Sequence, residues 1–247
     1  MKAMVLERIT RIQDNGQPLK MTDLPRPSPS AGEVLLRVLV CGVCHTELDE
    51  IEGRTAPPEL PVVLGHEVVG EVIELGQGAE ALHKGDRLGV AWIYSACGHC
   101  EYCRSGRENL CPYFEATGRD ANGGYAEYMV VPAAYAYPIP ENLKDAEAAP
   151  LLCAGAVGYR SLRLTGIKDG DTLGLTGFGG SGHLVLKMVK HKFPRSRIYV
   201  FARNPDEQAH ARELGAVWAG DTADDAPEKL HAIIDTTPAW KPLVEAL

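Results

Sequence analysis

Four cysteines, Cys97, Cys100, Cys103 and Cys111, stand in the spacing C-x2-C-x2-C-x7-C. Cysteines separated by two residues can turn around a single ion, and four thiolates fill a tetrahedral zinc shell with no open position. A closed shell of that kind ties down a loop and does no chemistry, so a structural zinc lobe is expected over about residues 92–113. Gly98 and Gly106 let that loop curl. Free thiols are the poorer reading, because clustered exposed thiols are a redox liability. The spacing also departs from the iron–sulfur patterns of bacterial and plant ferredoxins, which favours zinc.

A second chemistry is written in glycine. Gly177-Phe-Gly179-Gly180-Ser-Gly182 is a G-x-G-x-x-G run placed after a strand pattern and before a helix pattern. In that context the first glycine permits a tight turn, the second lets a pyrophosphate approach the backbone, and the third lets helix and strand pack closely. The helix N-terminus then offers its free N–H groups to the phosphates. About 20 residues on, readers of NAD place a carboxylate for the ribose 2′-hydroxyl. This chain has Ala202-Arg203-Asn204 there. A guanidinium suits a 2′-phosphate, so NADP is favoured over NAD. Asp206 follows, in what reads as the first turn of the next helix, where a carboxylate suits the dipole.

These residues need two kinds of scaffold. Residues 1–150 read as mostly β, with strands at 33–41, 68–75, 86–92 and 125–131 punctuated by Gly and Pro. Residues 145–164 read as helical, interrupted by Pro150 and by glycines. Residues 151–247 then alternate: strand 171–178, helix 181–193, strand 197–202, helix 205–214, and strands 216–218 and 231–235. That series implies a parallel sheet with helices on its faces. The fold class is α/β plus β, a β-rich domain followed by a dinucleotide-binding domain.

Composition narrows the rest. The 247 residues are 45% hydrophobic and 23% charged, which excludes a disordered chain. No apolar run approaches the ~18 residues of a membrane span, and charge arrives too early for a secretory leader. Seven cysteines, an odd number, argue against a secreted disulfide scaffold. A net charge of −8 argues against nucleic acid and anionic membrane as partners. The expectation is a cytoplasmic protein.

Cys44, His66 and Cys153 lie far apart, and spacing alone does not unite them. Their surroundings do carry a resemblance. Gly42-Val-Cys44-His45-Thr46-Glu47, Gly65-His66-Glu67, the four-cysteine lobe, Leu152-Cys153-Ala154-Gly155 and the glycine loop occur in this order. The chain resembles the zinc-dependent alcohol dehydrogenases of the medium-chain dehydrogenase/reductase superfamily, over essentially its whole length. The resemblance implies a GroES-like catalytic domain over residues 1–150 and a Rossmann sheet over residues 151–247. It implies two zinc ions per chain: a catalytic one on Cys44, His66 and Cys153, and a structural one on the lobe. Cys153 as third ligand is similar to the alcohol-oxidising branch; the polyol branch tends to use Glu there.

The activity so implied is hydride transfer between a primary or secondary alcohol, or its aldehyde or ketone, and a nicotinamide cofactor. A zinc-bound alkoxide would lose its proton through a relay beginning at Thr46. His45 matches a position that contacts the cofactor pyrophosphate, Trp92 one that lines the substrate pocket, and Glu67 one close enough to the metal to exchange with water. Three positions depart from the pattern: Glu47 stands for the usual Asp, Asp49 for the His that ends the relay, and Ser181 for an aliphatic residue. Asp49 is the expected substitute for that relay group. Cys41 has no family role and reads as a small buried residue.

A complete doubly wound sheet has about six strands, and only the four at 171–178, 197–202, 216–218 and 231–235 are found. The chain is therefore expected to be C-terminally truncated, its intact form a homo-dimer or homo-tetramer. Two alternatives stand beside the enzyme: an inactive fragment keeping only the structural zinc, and a zinc-ribbon binding module.

Overall fold

The computed structural model describes residues 1–245. Two compact units divide the chain, Met1–Cys153 and Ala154–Leu247.

The first unit opens with β1 (Lys2–Leu6) and β2 (Leu19–Asp23), an antiparallel hairpin. β3 (Glu33–Cys41) is the longest strand. It is followed directly by a helix that the sequence pattern did not reveal, α1 (His45–Ile51). Next come β4 (Val62–Val63), β5 (Val68–Leu75) and β6 (Arg87–Val90). The lobe contributes β7 (Ile93–Ser95), α2 (Glu101–Arg104) and β8 (Glu115–Ala116). The unit closes with β9 (Tyr128–Pro132), β10 (Ala136–Pro138) and α3 (Asp145–Ala148).

Five of these strands form an antiparallel sheet in the order β10-β6-β5-β3-β9. Val34, Leu36, Val68, Val72, Leu88, Val90, Met129 and Val131 form its buried core. The β3–β5 register shifts between Leu35 and Leu36 and again between Val38 and Val40. Such irregularities bend a strand and increase its twist, which curls the sheet. β4 adds to β1 in a smaller sheet of order β2-β1-β4.

The expected helix over 145–164 is three pieces. α3 passes into a 3-10 turn, Ala149–Leu152, and a separate helix, α4 (Ala154–Thr165), begins after Cys153. Pro150 cannot donate to an α-helical ladder, and the chain tightens there.

In the second unit, α4 is followed by β11 (Thr172–Thr176), α5 (Gly180–Lys192), β12 (Arg197–Phe201) and α6 (Pro205–Glu213). β13 (Trp218–Gly220), β14 (Ala232–Asp235) and α7 (Trp240–Glu245) complete it. All pairings in its sheet are parallel, in the order β13-β12-β11-β14. Third, second, first, fourth is the order of a doubly wound dinucleotide-binding sheet up to its switch point. Every residue of β11 is buried, as expected of a strand covered on both faces. Leu173, Leu175, Val185, Leu186, Val189, Ile198 and Val200 fill the core. No helix among the described residues is long and apolar enough to cross a membrane.

Candidate metal centre

Three turns of the first unit bring the donors together. Cys44 is the N-cap of α1, in extended conformation. His66 and Glu67 lie between β4 and β5. The two segments are joined by Gly42 N–H donating to the Glu67 carbonyl at 2.9 Å. A Cβ on Gly42 would stand 1.9 Å from Glu67 Oε2, so only glycine lets the carboxylate come this close. Gly65, at φ +99°, is in the left-handed region where a side chain is strained. Cys153 arrives from the 3-10 turn: Ala148 and Ala149 pack against Val69. Arg87 clamps the turn's approach through Asp145 at 3.0 Å and the carbonyl of Leu143 at 2.7 Å.

Ligand atoms of Cys44, His66, Glu67 and Cys153 all lie within 4.8 Å of one another. Two thiolates each ~2.3 Å from a tetrahedral ion stand ~3.8 Å apart. The sulfurs of Cys44 and Cys153 are 3.7 Å apart, so the donor set fits zinc. His66 is 1% exposed, and its Nδ1 lies 2.7 Å from Glu47 Oε1. That contact leaves Nε2 as the ring's free donor atom. The other oxygen of Glu47 accepts from Cys44 N–H at 2.8 Å. Glu47 thus spans both ligands in place of the usual shorter carboxylate. Thr46 Oγ1 is 3.6 Å from Cys44 Sγ.

The electrostatics of this donor set point the same way. The Cys153 thiol, hydrogen-bonded to Cys44, outweighs burial and pulls Cys44 down to about 3. That same hydrogen bond, with burial, pushes Cys153 up. Burial alone would lower His66, but its bonds to Cys44 and Glu47 raise it to about 10. Burial raises Glu67, with the Cys44 thiolate adding to it. Two sulfurs, a buried imidazole and a carboxylate converge there, and a divalent cation would satisfy all of them.

The second cluster is Cys97, Cys100, Cys103 and Cys111, also within 4.8 Å. Sulfur separations are 3.9 Å for Cys97–Cys103 and 3.5 Å for Cys100–Cys103. Backbone N–H groups aim at the sulfurs: Cys100 at Cys97, Cys103 at Cys100, and both Cys97 and Tyr113 at Cys111, at 3.4–3.5 Å. Such donors favour thiolates. The four sulfurs thus converge closely enough to share one ion, flanked by the β7–β8 pair.

The remaining sequence-derived candidates fall in different places. Asp49 lies half-buried on α1, its carboxylate held by Arg54 at 2.5 Å and 3.8 Å from His45 Nε2. His45 is exposed. Trp92 stacks on Phe114 at 4.9 Å, with the Arg119 guanidinium 5.8 Å from its ring. In the second unit, Gly177 ends β11 with φ +78°, and Gly179 is the N-cap of α5 with no side-chain capping bond. A Cβ on Gly182 would stand 2.6 Å from the Gly177 carbonyl oxygen. The N-terminal N–H groups of α5, including that of Gly180, are thereby left to an anion. Ala202 is buried beyond β12, Arg203 is exposed next to it, and Asn204 caps α6 by accepting from Asp206 N–H at 2.9 Å. Asp206 stands in the first turn of α6.

One residue was not anticipated. Glu50 is fully buried on α1, three residues after Glu47, and neither oxygen has a hydrogen-bond partner among the described residues. Its signal in the sequence was its spacing from Glu47, visible only once that segment is known to be helical.

A GroES-like β domain bearing two cysteine-based donor sets, on a chain that continues into a dinucleotide-binding sheet, defines a medium-chain dehydrogenase. Residues 30–141 match the alcohol dehydrogenase GroES-like domain. The Mycobacterium tuberculosis protein named "Probable alcohol dehydrogenase AdhA" is 47% identical over 231 residues, covering 92% of this chain and 66% of that protein. A cinnamyl alcohol dehydrogenase of Sorghum bicolor superposes with a TM-score of 0.86 at 31% identity, covering 100% of this chain and 73% of that one. The cobalt- and zinc-bound thermostable alcohol dehydrogenase of Pyrobaculum aerophilum superposes with a TM-score of 0.80 at 26% identity, covering 90% and 66%. The chain belongs to the zinc-dependent alcohol dehydrogenase family of the medium-chain dehydrogenase/reductase superfamily. It spans between 51% and 66% of the curated relatives' lengths.

Proposed function

We propose that the protein is a zinc-dependent oxidoreductase interconverting small alcohols and their carbonyl compounds with a nicotinamide cofactor. The observation that carries this reading is the donor set of Cys44, His66, Glu67 and Cys153, with two sulfurs 3.7 Å apart. Cys44, His66 and Cys153 would hold a catalytic zinc, and Glu67 is the carboxylate able to exchange with a water or substrate oxygen. Cys97, Cys100, Cys103 and Cys111 would hold a structural zinc, for two ions per chain. Residues 1–150 serve as the catalytic domain and 151–247 as the dinucleotide-binding domain.

Bound at the first site, zinc supplies Lewis acidity, easing loss of a hydroxyl proton and polarising a carbonyl. The protein's own part is placement and proton handling. Glu47 fixes the His66 ring and its tautomer. Thr46 passes the substrate proton by hydrogen bond, and Trp92 walls the substrate. The glycine loop with the α5 N-terminus would receive the cofactor's phosphates. Removing the Glu47 carboxylate, as in E47A, should lower zinc affinity at the first site about 10–100-fold, read by competition with a chelator.

Arg203 tilts the cofactor preference to NADP. A charge-assisted bond to a 2′-phosphate is worth roughly 1.5–3 kcal/mol. R203A should therefore raise the KM for NADPH on the order of 10–100-fold and leave that for NADH within about twofold. The test of the whole reading is aldehyde-dependent oxidation of NADPH and NADH, side by side, by the zinc-loaded chain. Preference for NADPH supports both parts. Preference for NADH removes the role of Arg203. No turnover, with a single zinc bound, favours a non-catalytic fragment.

A further inference from the structure

We propose that Arg119 determines which substrates fit at the metal centre: anchored on Asp120, its guanidinium holds the Trp92 ring as a fixed wall, which favours slender aliphatic carbonyl compounds over broad aryl ones. This rests on the oxidoreductase reading above and deepens it.

The backbone brings Trp92 and the turn after β8 to the same end of the sheet as His66. β5 and β6 are paired antiparallel up to Val68 and Val90. Two residues beyond that last pair lie His66 on one side and Trp92 on the other. The turn after β8 is stitched to both. Thr117 N–H donates to the Trp92 carbonyl at 2.9 Å, and Thr117 Oγ1 donates to the Ala91 carbonyl at 2.8 Å. Gly118, at φ +84°, lies so close to the residue before His66 that a Cβ on it would stand 2.9 Å from Gly65 N. Arg119 follows directly.

The side chains complete the wall. Arg119 donates from Nε at 2.9 Å and from Nη2 at 2.7 Å to Asp120 Oδ2, and that oxygen also accepts from Ala116 N–H at 2.7 Å. Two donors on one anchor orient a guanidinium where a single bond would let it turn. So held, its carbon lies over the Trp92 ring, 5.8 Å from the centroid, within the range of cation–π attraction. Phe114 packs on the same ring at 4.9 Å. The indole N–H is an independent sign that the ring is held. Trp92 Nε1 is buried and has no hydrogen-bond partner among the described residues. An indole free to turn would bring that donor to an acceptor or to water, because leaving it unpaired costs free energy. The Arg119 charge is already balanced by Asp120, so the residue acts through placement. A wall that cannot swing aside sorts carbonyl compounds by breadth, because overfilling a packed site forces its side chains out of their preferred positions.

The test compares reduction of hexanal and of naphthaldehyde by the zinc-loaded 247-residue chain. In R119A the kcat/KM ratio of naphthaldehyde to hexanal should rise about tenfold, carried by KM, with kcat for hexanal within about twofold of wild type. R119K keeps the charge and loses the fork, so it should move the ratio part of the way. D120N should move it in the same direction by about threefold, the guanidinium being intact but less firmly held. A ratio unchanged in both R119A and D120N, or an equal fall in kcat for the two aldehydes, overturns the proposal. If R119A does not fold, D120N and R119K decide, and wild-type ratios in both overturn it. A second readout needs no substrate. Exchange of the Trp92 indole N–H with deuterium, its NMR signal identified by its loss in W92F, should be about tenfold faster in R119A than in wild type. Equal rates overturn the holding role. Wild type without turnover overturns the oxidoreductase reading and the substrate selection with it, while the exchange rates still show separately whether Arg119 holds the ring.

Discussion

H66A should abolish turnover while leaving most of the protein folded. The ring supplies one of the donors of the catalytic set and is almost wholly buried against Glu47. Its removal leaves two thiols and one carboxylate with no neutral nitrogen among them, a poor match for the zinc shells that catalyse. Lewis-acid stabilisation of the reacting oxygen is worth several kcal/mol, so the rate should fall on the order of 10³-fold or more. Metal analysis is the companion measurement: zinc should drop from about two to about one per chain, the closed four-thiolate shell being untouched. A variant that still binds about two ions and turns over would remove His66 from the site. The large effect comes from burial. A surface histidine could be replaced by water as a ligand, but His66 has no solvent beside it.

C103S should do the reverse, damaging structure before chemistry. The lobe has little apolar core of its own. Of the four cysteines only Cys111 is buried, and the intervening α2 is four residues long with no buried residue. What organises residues 95–113 is the convergence of four sulfurs and the backbone N–H groups aimed at them. Structural zinc contributes roughly 10–16 kcal/mol of apparent binding energy in isolated zinc-finger peptides, and there that energy is folding energy. Losing one thiolate should release the ion and open the lobe to limited proteolysis around Arg104 and Arg107. The parallel sheet of the second unit should keep its own thermal transition. Cleavage no faster than wild type, with the ion retained, would show that the lobe is held by protein contacts alone. Chelation of the wild-type protein should reproduce the C103S pattern, because the two treatments remove the same cross-link.

The sequence by itself determined the elements whose cues are local. The glycine loop, the βαβ alternation and the parallel sheet they imply were readable, because they rest on short apolar strand runs such as that of β12 and on turn glycines such as Gly177. The four-cysteine lobe was readable for the same reason: its ligands lie within one loop, and their spacing is itself the geometry. The other donor set was not. Cys44, His66 and Cys153 are separated by long stretches of chain, and only a resemblance joined them before folding did. The tertiary structure decided their meeting through contacts no spacing encodes: the close approach of Glu67 to Gly42, the 3-10 turn at Pro150, and Glu47 reaching across to His66. It also redirected Asp49 into an ion pair with Arg54 and left Glu50 buried without a partner. A seven-residue helix such as α1 has too few residues to show a period, so which of its carboxylates faces inward is fixed by packing alone.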